Sequence, residues 1–262
     1  MLARMEQSCY WEHETPAEEH FPCLDGVSTV CPRCCVERCP VETPDWFARC
    51  AAAGHPTWPH TRPSVPRKLI CLEAPWNYRV FSGVSVKGFL DSLAHLLNPP
   101  LRVAHRYVES TRHLAYCAQR PDGLLWSDAD AWDAPIFYLA FHGSPGAVTS
   151  PLESIDSAAL CDAFTGYSGY PCLLYFGACN VLKGAKGERF VRDLLEASGV
   201  RAILGYTTSV DWMDSLVVDM LFFYRFYGDA DPWKNLGKIF TSVRRDFQPA
   251  KAMGWRLVRN GP

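Results

Sequence analysis

Two short apolar runs limit what this chain can become more than any other stretch: Ile136-Phe-Tyr-Leu-Ala-Phe-His142-Gly143 and Cys172-Leu-Leu-Tyr-Phe-Gly-Ala-Cys179-Asn180. Each follows a proline, Pro135 or Pro171, and each ends at a residue able to do chemistry beside a small one. A continuous apolar run of this length predicts a strand buried on both faces, as in a parallel sheet covered by helices. In an open parallel sheet the ligand crevice lies beyond the carboxyl ends of the strands. His142 and Cys179 are therefore expected on one rim of one sheet, where an imidazole and a thiol form a base and its nucleophile.

The remainder of residues 67–262 alternates between strand and helix patterns. Arg67–Glu73 reads as the first strand. Ser85 is placed to cap a helix reaching about Leu97, with Phe89, Leu90, Leu93 and Leu97 on its apolar face. Leu101–Val108 alternates as a strand, and residues 111–133 read as a helix and a loop around Pro121-Asp-Gly123. Ser154–Phe164 reads as a helix, Lys183–Gly187 as a flexible loop, and Glu188–Ala197 as a helix stopped by Gly199. Val200–Tyr206 is a further strand, followed by an apolar helix over Asp214–Tyr227 and an amphipathic one over Trp233–Phe247. This alternation predicts an α/β fold with a doubly wound, mostly parallel sheet flanked by helices and right-handed crossovers.

The first 66 residues have a different character. Of twelve cysteines, Cys9, Cys23, Cys31, Cys34, Cys35, Cys39 and Cys50 lie here, among many Pro, Glu and His and few aliphatic residues. A segment so poor in aliphatics needs a metal or a neighbouring surface to become ordered. Cys31-Pro-Arg-Cys34 has the spacing of a zinc knuckle, and Cys50 and His55 can complete a tetrahedral site of soft and borderline ligands. Cys9, His13, Cys23, Cys35 and Cys39 are rival ligands; the alternative is a disordered leader or reduced cysteines packed on the main domain. Pro56, Pro59, Pro63 and Pro66 predict a stiff linker.

Composition excludes several partners. The net charge is −2, which gives no strong pull toward nucleic acid or an anionic membrane. No apolar run reaches the roughly 20 residues of a transmembrane helix. The opening Met-Leu-Ala-Arg-Met-Glu-Gln lacks the apolar region of a signal peptide, so a cytoplasmic location is expected. In that compartment cysteines point to metal or catalysis rather than to disulfides.

Phe141-His142-Gly143 and Gly177-Ala178-Cys179-Asn180 together resemble the caspase-like cysteine peptidases of clan CD, in which one apolar strand ends in His-Gly and a later one in Ala-Cys. The bacterial CHAT proteases are the most similar branch. Their order of Ala-Cys, helix, Gly-x-x-Ala-type strand, Trp and Asp segment and Phe-Tyr helix is matched here. The matching positions are Cys179, the 188–198 helix, Gly199–Leu204, Trp212 with Asp214, and Phe223-Tyr224. The resemblance spans roughly residues 67–250.

It implies a caspase-like fold and a cysteine endopeptidase that cuts a protein partner, in a setting such as bacterial antiviral defence or regulated cell death, with no cofactor for catalysis. Cys179 would be the nucleophile and His142 its base, with the backbone N–H groups of Gly143 and Cys179 as the oxyanion hole. Substrate would add along the Gly205–Ser209 edge, contacting Tyr206 and Thr207. No arginine matches the caspase acid-binding set. Asp211 and Asp214 suggest instead a basic residue before the cut, with Trp212 as a pocket wall; the competing readings are core packing for Trp212 and helix capping for Asp214. Only a short connection separates Cys179 from the next strand, so activity as an intact chain is expected, with Lys183 and Lys186 marking a self-cleavage candidate. Rival readings are a catalytically weak scaffold serving as a zinc-containing adaptor, and a hydrolase of small amides. The N-terminal segment is a candidate for inhibition, substrate recruitment or binding of a regulatory protein.

Overall fold

A computed structural model describes residues 67–75, 84–97, 100–119, 123–124, 135–165 and 172–260, together with a strand pair near the start of the chain. The chain divides into two compact units, Met1–Ser64 and Val65–Pro262. In the first, β1 (Phe21–Pro22) pairs antiparallel with β2 (Thr29–Val30). The proposed zinc ligands Cys31, Cys34, Cys50 and His55 lie outside the described residues.

The second unit is built on a six-stranded sheet. Its strands are β3 (Lys68–Glu73), β4 (Arg102–Tyr107), β5 (Ile136–Ala140), β9 (Leu173–Gly177), β10 (Ala202–Tyr206) and β11 (Trp255–Arg259). They run in the order β11-β10-β9-β5-β3-β4. All neighbours are parallel except β10 and β11. The strand order reverses at β3, whose neighbours are β4 and β5; such a reversal is where open parallel sheets place their ligand crevice.

The central strands are apolar throughout because both faces are covered. One face presents Leu69, Cys71, Ile136, Tyr138, Leu173, Tyr175, Ala202 and Leu204. These pack with α1 (Lys87–Leu96), α5 (Trp212–Gly228) and α6 (Pro232–Asp246). Alternate residues point the other way, so Phe137 meets Phe164 with ring centroids 5.4 Å apart, and Phe176 meets Phe190 at 5.2 Å. That face is covered by α2 (Thr111–Ala118), α3 (Ser157–Ala163) and α4 (Gly184–Ser198), which contact one another in series. The short α7 (Pro249–Ala252) precedes β11.

Local chemistry sets the helix ends. Ser110, Asp156, Asp211 and Asp231 accept backbone N–H groups as caps, and Pro232 occupies the first turn of α6. Gly199 ends α4 at φ 67°, in the left-handed region.

Three sequence expectations are corrected. Ser154–Asp156 is a strand, β8, and the helix starts only at Ser157, since Asp156 is its cap. Lys183–Gly187 is not a loop: α4 begins at Gly184, which places Lys186 in a helical turn. Ser85 accepts the Lys87 N–H but precedes the cap position, held by Val86. The sequence reading also missed β6 (His142–Ser144), β7 (Ala147–Thr149) and β8, which form a separate antiparallel sheet, and the edge strand β11. Three-residue strands carry too little pattern to be read.

Candidate active site

The register of β5 and β9 brings the two motifs together. Ala140 faces Gly177 across the sheet. His142 and Cys179 each stand two positions further along neighbouring parallel strands, on the carboxyl rim. Beyond Ala140 the chain passes through Phe141 and starts β6 at His142, which is exposed and pairs with Thr149 of β7.

Gly143 shows how close the two segments run. A Cβ at this position would lie 2.4 Å from the Cys179 carbonyl oxygen, 2.7 Å from Val181 Cγ2 and 3.0 Å from Ala178 Cβ. Only glycine lets the β6 backbone approach the loop carrying Cys179 this tightly. The hairpin turn adds a second tie, from the Gly146 N–H to the Val181 carbonyl at 3.0 Å.

Cys179 is half-buried, and its Sγ accepts the Val210 N–H at 3.4 Å. Asn180 follows in the left-handed region at φ 60°, which Asn tolerates better than most residues. Its N–H donates to the Thr208 carbonyl at 2.9 Å and its Nδ2 to Ser209 Oγ at 3.0 Å, while the Leu182 N–H reaches the Tyr206 carbonyl at 3.1 Å. The loop carrying Cys179 is thus held between the β6–β7 hairpin and the segment leaving β10.

Several other described thiols are held protonated by their surroundings. Burial pushes the Cys71 thiol well up, with Glu73 adding to the effect. Burial also raises Cys117, and raises Cys161 with help from nearby aspartates; Cys172 is fully buried. A raised thiol holds less of the reactive thiolate at neutral pH. Among the histidines, His105 bonds Glu73 Oε2 through Nε2 at 2.6 Å. His113 lies on α2, with its ring 6.3 Å from that of Tyr116.

The five residues proposed to touch substrate fare differently. Tyr206 is fully buried and donates its hydroxyl to Asp219 at 2.6 Å, so it presents no surface to a substrate. Thr207 directs both its N–H and its hydroxyl to the Gly254 carbonyl, each at 3.2 Å. β11 pairs with β10 as far as Tyr206 opposite Trp255, so the expected strand addition along Gly205–Tyr206 is blocked by the chain itself. Asp211 caps α5 by accepting the Met213 and Asp214 N–H groups. Trp212 packs edge-on to Phe89, with ring centroids 5.4 Å apart. Asp214 is half-buried in the first turn of α5, and no cation pairs with its carboxylate among the described residues.

Sequence reasoning missed two contributors. One is the Val210 backbone, which contacts the sulfur from 31 positions away; nothing local marks it. The other is Glu73, fully buried at the carboxyl end of β3. It accepts Ser85 Oγ at 2.6 Å, the Val86 N–H at 3.0 Å and His105, and so anchors the start of α1 and β4 to the same rim. Among the described residues, no group of three or more His, Cys, Asp or Glu side chains is placed to hold a metal ion, and no helix is long and apolar enough to cross a membrane.

No family model matches the chain, and no curated protein matches it. Among solved structures, the chain is similar to an NADH:FMN oxidoreductase (EMOB) in its apo form. The identity is 12% and the TM-score 0.32, with 72% of this chain and 94% of that one covered. A likeness of this size carries no argument.

Proposed function

We propose that this chain is a caspase-like cysteine endopeptidase of the CHAT type that cuts a protein partner as an intact single chain. The observation that carries the reading is the close passage of Gly143 against the Cys179 carbonyl, one short step beyond the paired ends of β5 and β9. The expected setting, bacterial defence or regulated cell death in the cytoplasm, rests on the sequence resemblance.

In this reading His142 takes the proton of Cys179 as the sulfur bonds to the scissile carbonyl carbon. The backbone N–H groups of Gly143 and Cys179 hold the resulting oxyanion. Collapse breaks the C–N bond, and His142 returns the proton to the leaving amine. Water, deprotonated by His142, then attacks the thioester; the acid product leaves and the thiol is restored. The free carboxylate of Asp214 suits a basic residue before the cut, whereas Asp211 is occupied as a helix cap. Cleavage after Lys186 would require the first turn of α4 to unwind, which disfavours self-cleavage there. A structural zinc on Cys31, Cys34, Cys50 and His55 belongs to the same reading and rests on the Cys31–Cys34 spacing.

The test is cleavage of a peptide library and of candidate partner proteins by the full chain, beside Cys179→Ala and His142→Ala. Each variant is expected to lose at least about 10³-fold in kcat/KM. Wild-type protein that cuts nothing, or variants that cut equally well, would sink the proposal.

A further inference from the structure

A cationic stripe runs along the outer side of α6. Lys234, Lys238 and Arg245 recur with Gly237, Thr241 and Ser242 at spacings of three and four, so they share one helix face. Leu236, Ile239 and Val243 occupy the opposite, buried face. Arg259, the last residue of β11, crosses onto the stripe: a Cβ on Gly237 would lie 2.9 Å from its Nη2, so the glycine makes room for the guanidinium. These residues line a recess of about 590 Å³, and no carboxylate is among them. Sites for small molecules commonly fall between about 300 and 1,000 Å³.

The acids nearby are already paired, one of them with a cation of the recess itself. Glu188 pairs with Arg256, and Asp246 with Arg225 and Arg245. Lys234, Lys238 and Arg259 have no acidic partner among the described residues. The hydroxyls of Thr241 and Ser242 donate to the Gly237 and Ile239 carbonyls, both at 2.8 Å, which leaves recognition to the cations. An arginine fork together with lysine point charges is the donor set that phosphate oxygens match. Lys234, Lys238 and Arg259, three cations on one recess with no acidic partner among the described residues, call for a ligand with several negative charges.

We propose that this recess, formed by the α6 stripe and Arg259 of β11, binds a small ligand through a di- or triphosphate group. Arg259 sits opposite Ala202, the first residue of β10, and so lies toward the amino-terminal rim of the parallel strands. The site is therefore separate from the His142–Cys179 rim and does not depend on the peptidase reading. Bridging α6 to the edge strand, such a ligand would bind only the folded unit and stabilise it.

The probe is inorganic triphosphate, titrated calorimetrically into the full chain at fixed ionic strength, with a nucleoside triphosphate as a second arm. Saturable one-to-one binding is expected, at least about tenfold weaker in Lys238→Glu/Arg259→Glu and within about twofold of wild type in Arg189→Glu, a control on exposed α4 surface. If the double charge reversal does not fold, Lys234→Gln/Lys238→Gln replaces it, with the same expectation. Equal affinity for both probes assigns the site to the phosphate group alone; tighter nucleotide binding assigns it to a nucleotide. Absence of saturable binding, equal weakening by Arg189→Glu, or tighter binding of a single-stranded oligonucleotide than of either triphosphate would overturn the proposal.

Discussion

Gly143 is the residue on which the candidate site turns. A methyl group there would overlap the Cys179 carbonyl and the Val181 side chain, so the β6 strand or the loop carrying Cys179 must shift. Gly143→Ala is expected to lower stability by about 1–3 kcal/mol, the usual cost of forcing a carbon into a packed site. On the proposed peptidase reading, peptide cleavage should fall further than stability alone explains, because the displaced atoms belong to Cys179. Thermal unfolding and peptidase assays on the same preparation check this; an unchanged midpoint with unchanged activity would mean the two segments run further apart. The position of His142, Gly143 and Cys179 just beyond the ends of β5 and β9 was legible from the apolar runs that precede them. Val210 was not, since its contact with the sulfur depends on where the chain returns after β10. Nor was the burial of Tyr206 foreseeable, because a tyrosine at a strand end is equally suited to a surface or a core.

At the scale of elements, the most consequential feature is one acid on the apolar helix α5. Asp219, 2% exposed, accepts the hydroxyls of Tyr138 at 2.5 Å, of Tyr206 at 2.6 Å and of Tyr175. Trp255 Nε1 adds a bond to Tyr175 at 2.9 Å. One carboxyl group thereby joins α5 to β5, β9 and β10, with β11 attached through the indole. Burial raises this carboxyl from 3.8 to about 6, outweighing the three hydroxyls, which act to lower it. The folded chain thus holds a proton that the unfolded chain releases near pH 4. This contribution to stability is complete below about pH 4 and is lost as pH rises through 6. At pH 7 it leaves a cost of about 3 kcal/mol relative to an unshifted carboxyl. Comparing Asp219→Asn with wild type by denaturant unfolding from pH 4 to pH 7, wild type should lose about that much relative to the variant. A difference that stays flat with pH would show that Asp219 does not titrate in this range. The tyrosines lie on runs that were read correctly as strands, and the aspartate on a segment read correctly as a helix. Their convergence was invisible, because it requires knowing which strands are neighbours and in what register.

For the whole molecule, the division at Ser64 and Val65 separates a cysteine-rich unit from the sheet-bearing one. The second unit has its own covered sheet and core, so residues 65–262 are expected to fold alone. Their thermal midpoint should fall within about 3 °C of the corresponding transition in the full chain, with metal chelation affecting only the full chain. Scanning calorimetry of both, with and without chelator, checks this; a fragment that stays unfolded would show that the first unit is required for the second. Net charge is misleading at this scale. A value of −2 gave no reason to expect an anion site, yet cations from α6 and β11 collect on one recess, and of them only Arg245 pairs with an acid among the described residues. A sum over the chain carries no information about where charges lie.

The sequence by itself determined the strand and helix character of the longer elements of the second unit, the Gly199 stop, and the placing of His142 and Cys179 just beyond strand ends. These follow from local periodicity and residue chemistry, which act over a few positions. Only the tertiary structure decided the strand order, the cover of β10 by β11, the burial of Tyr206, the capping duty of Asp211 and the α6–β11 recess. Each of these depends on contacts between residues far apart in the chain, and the free energy that selects them is that of packing two covered faces of one sheet.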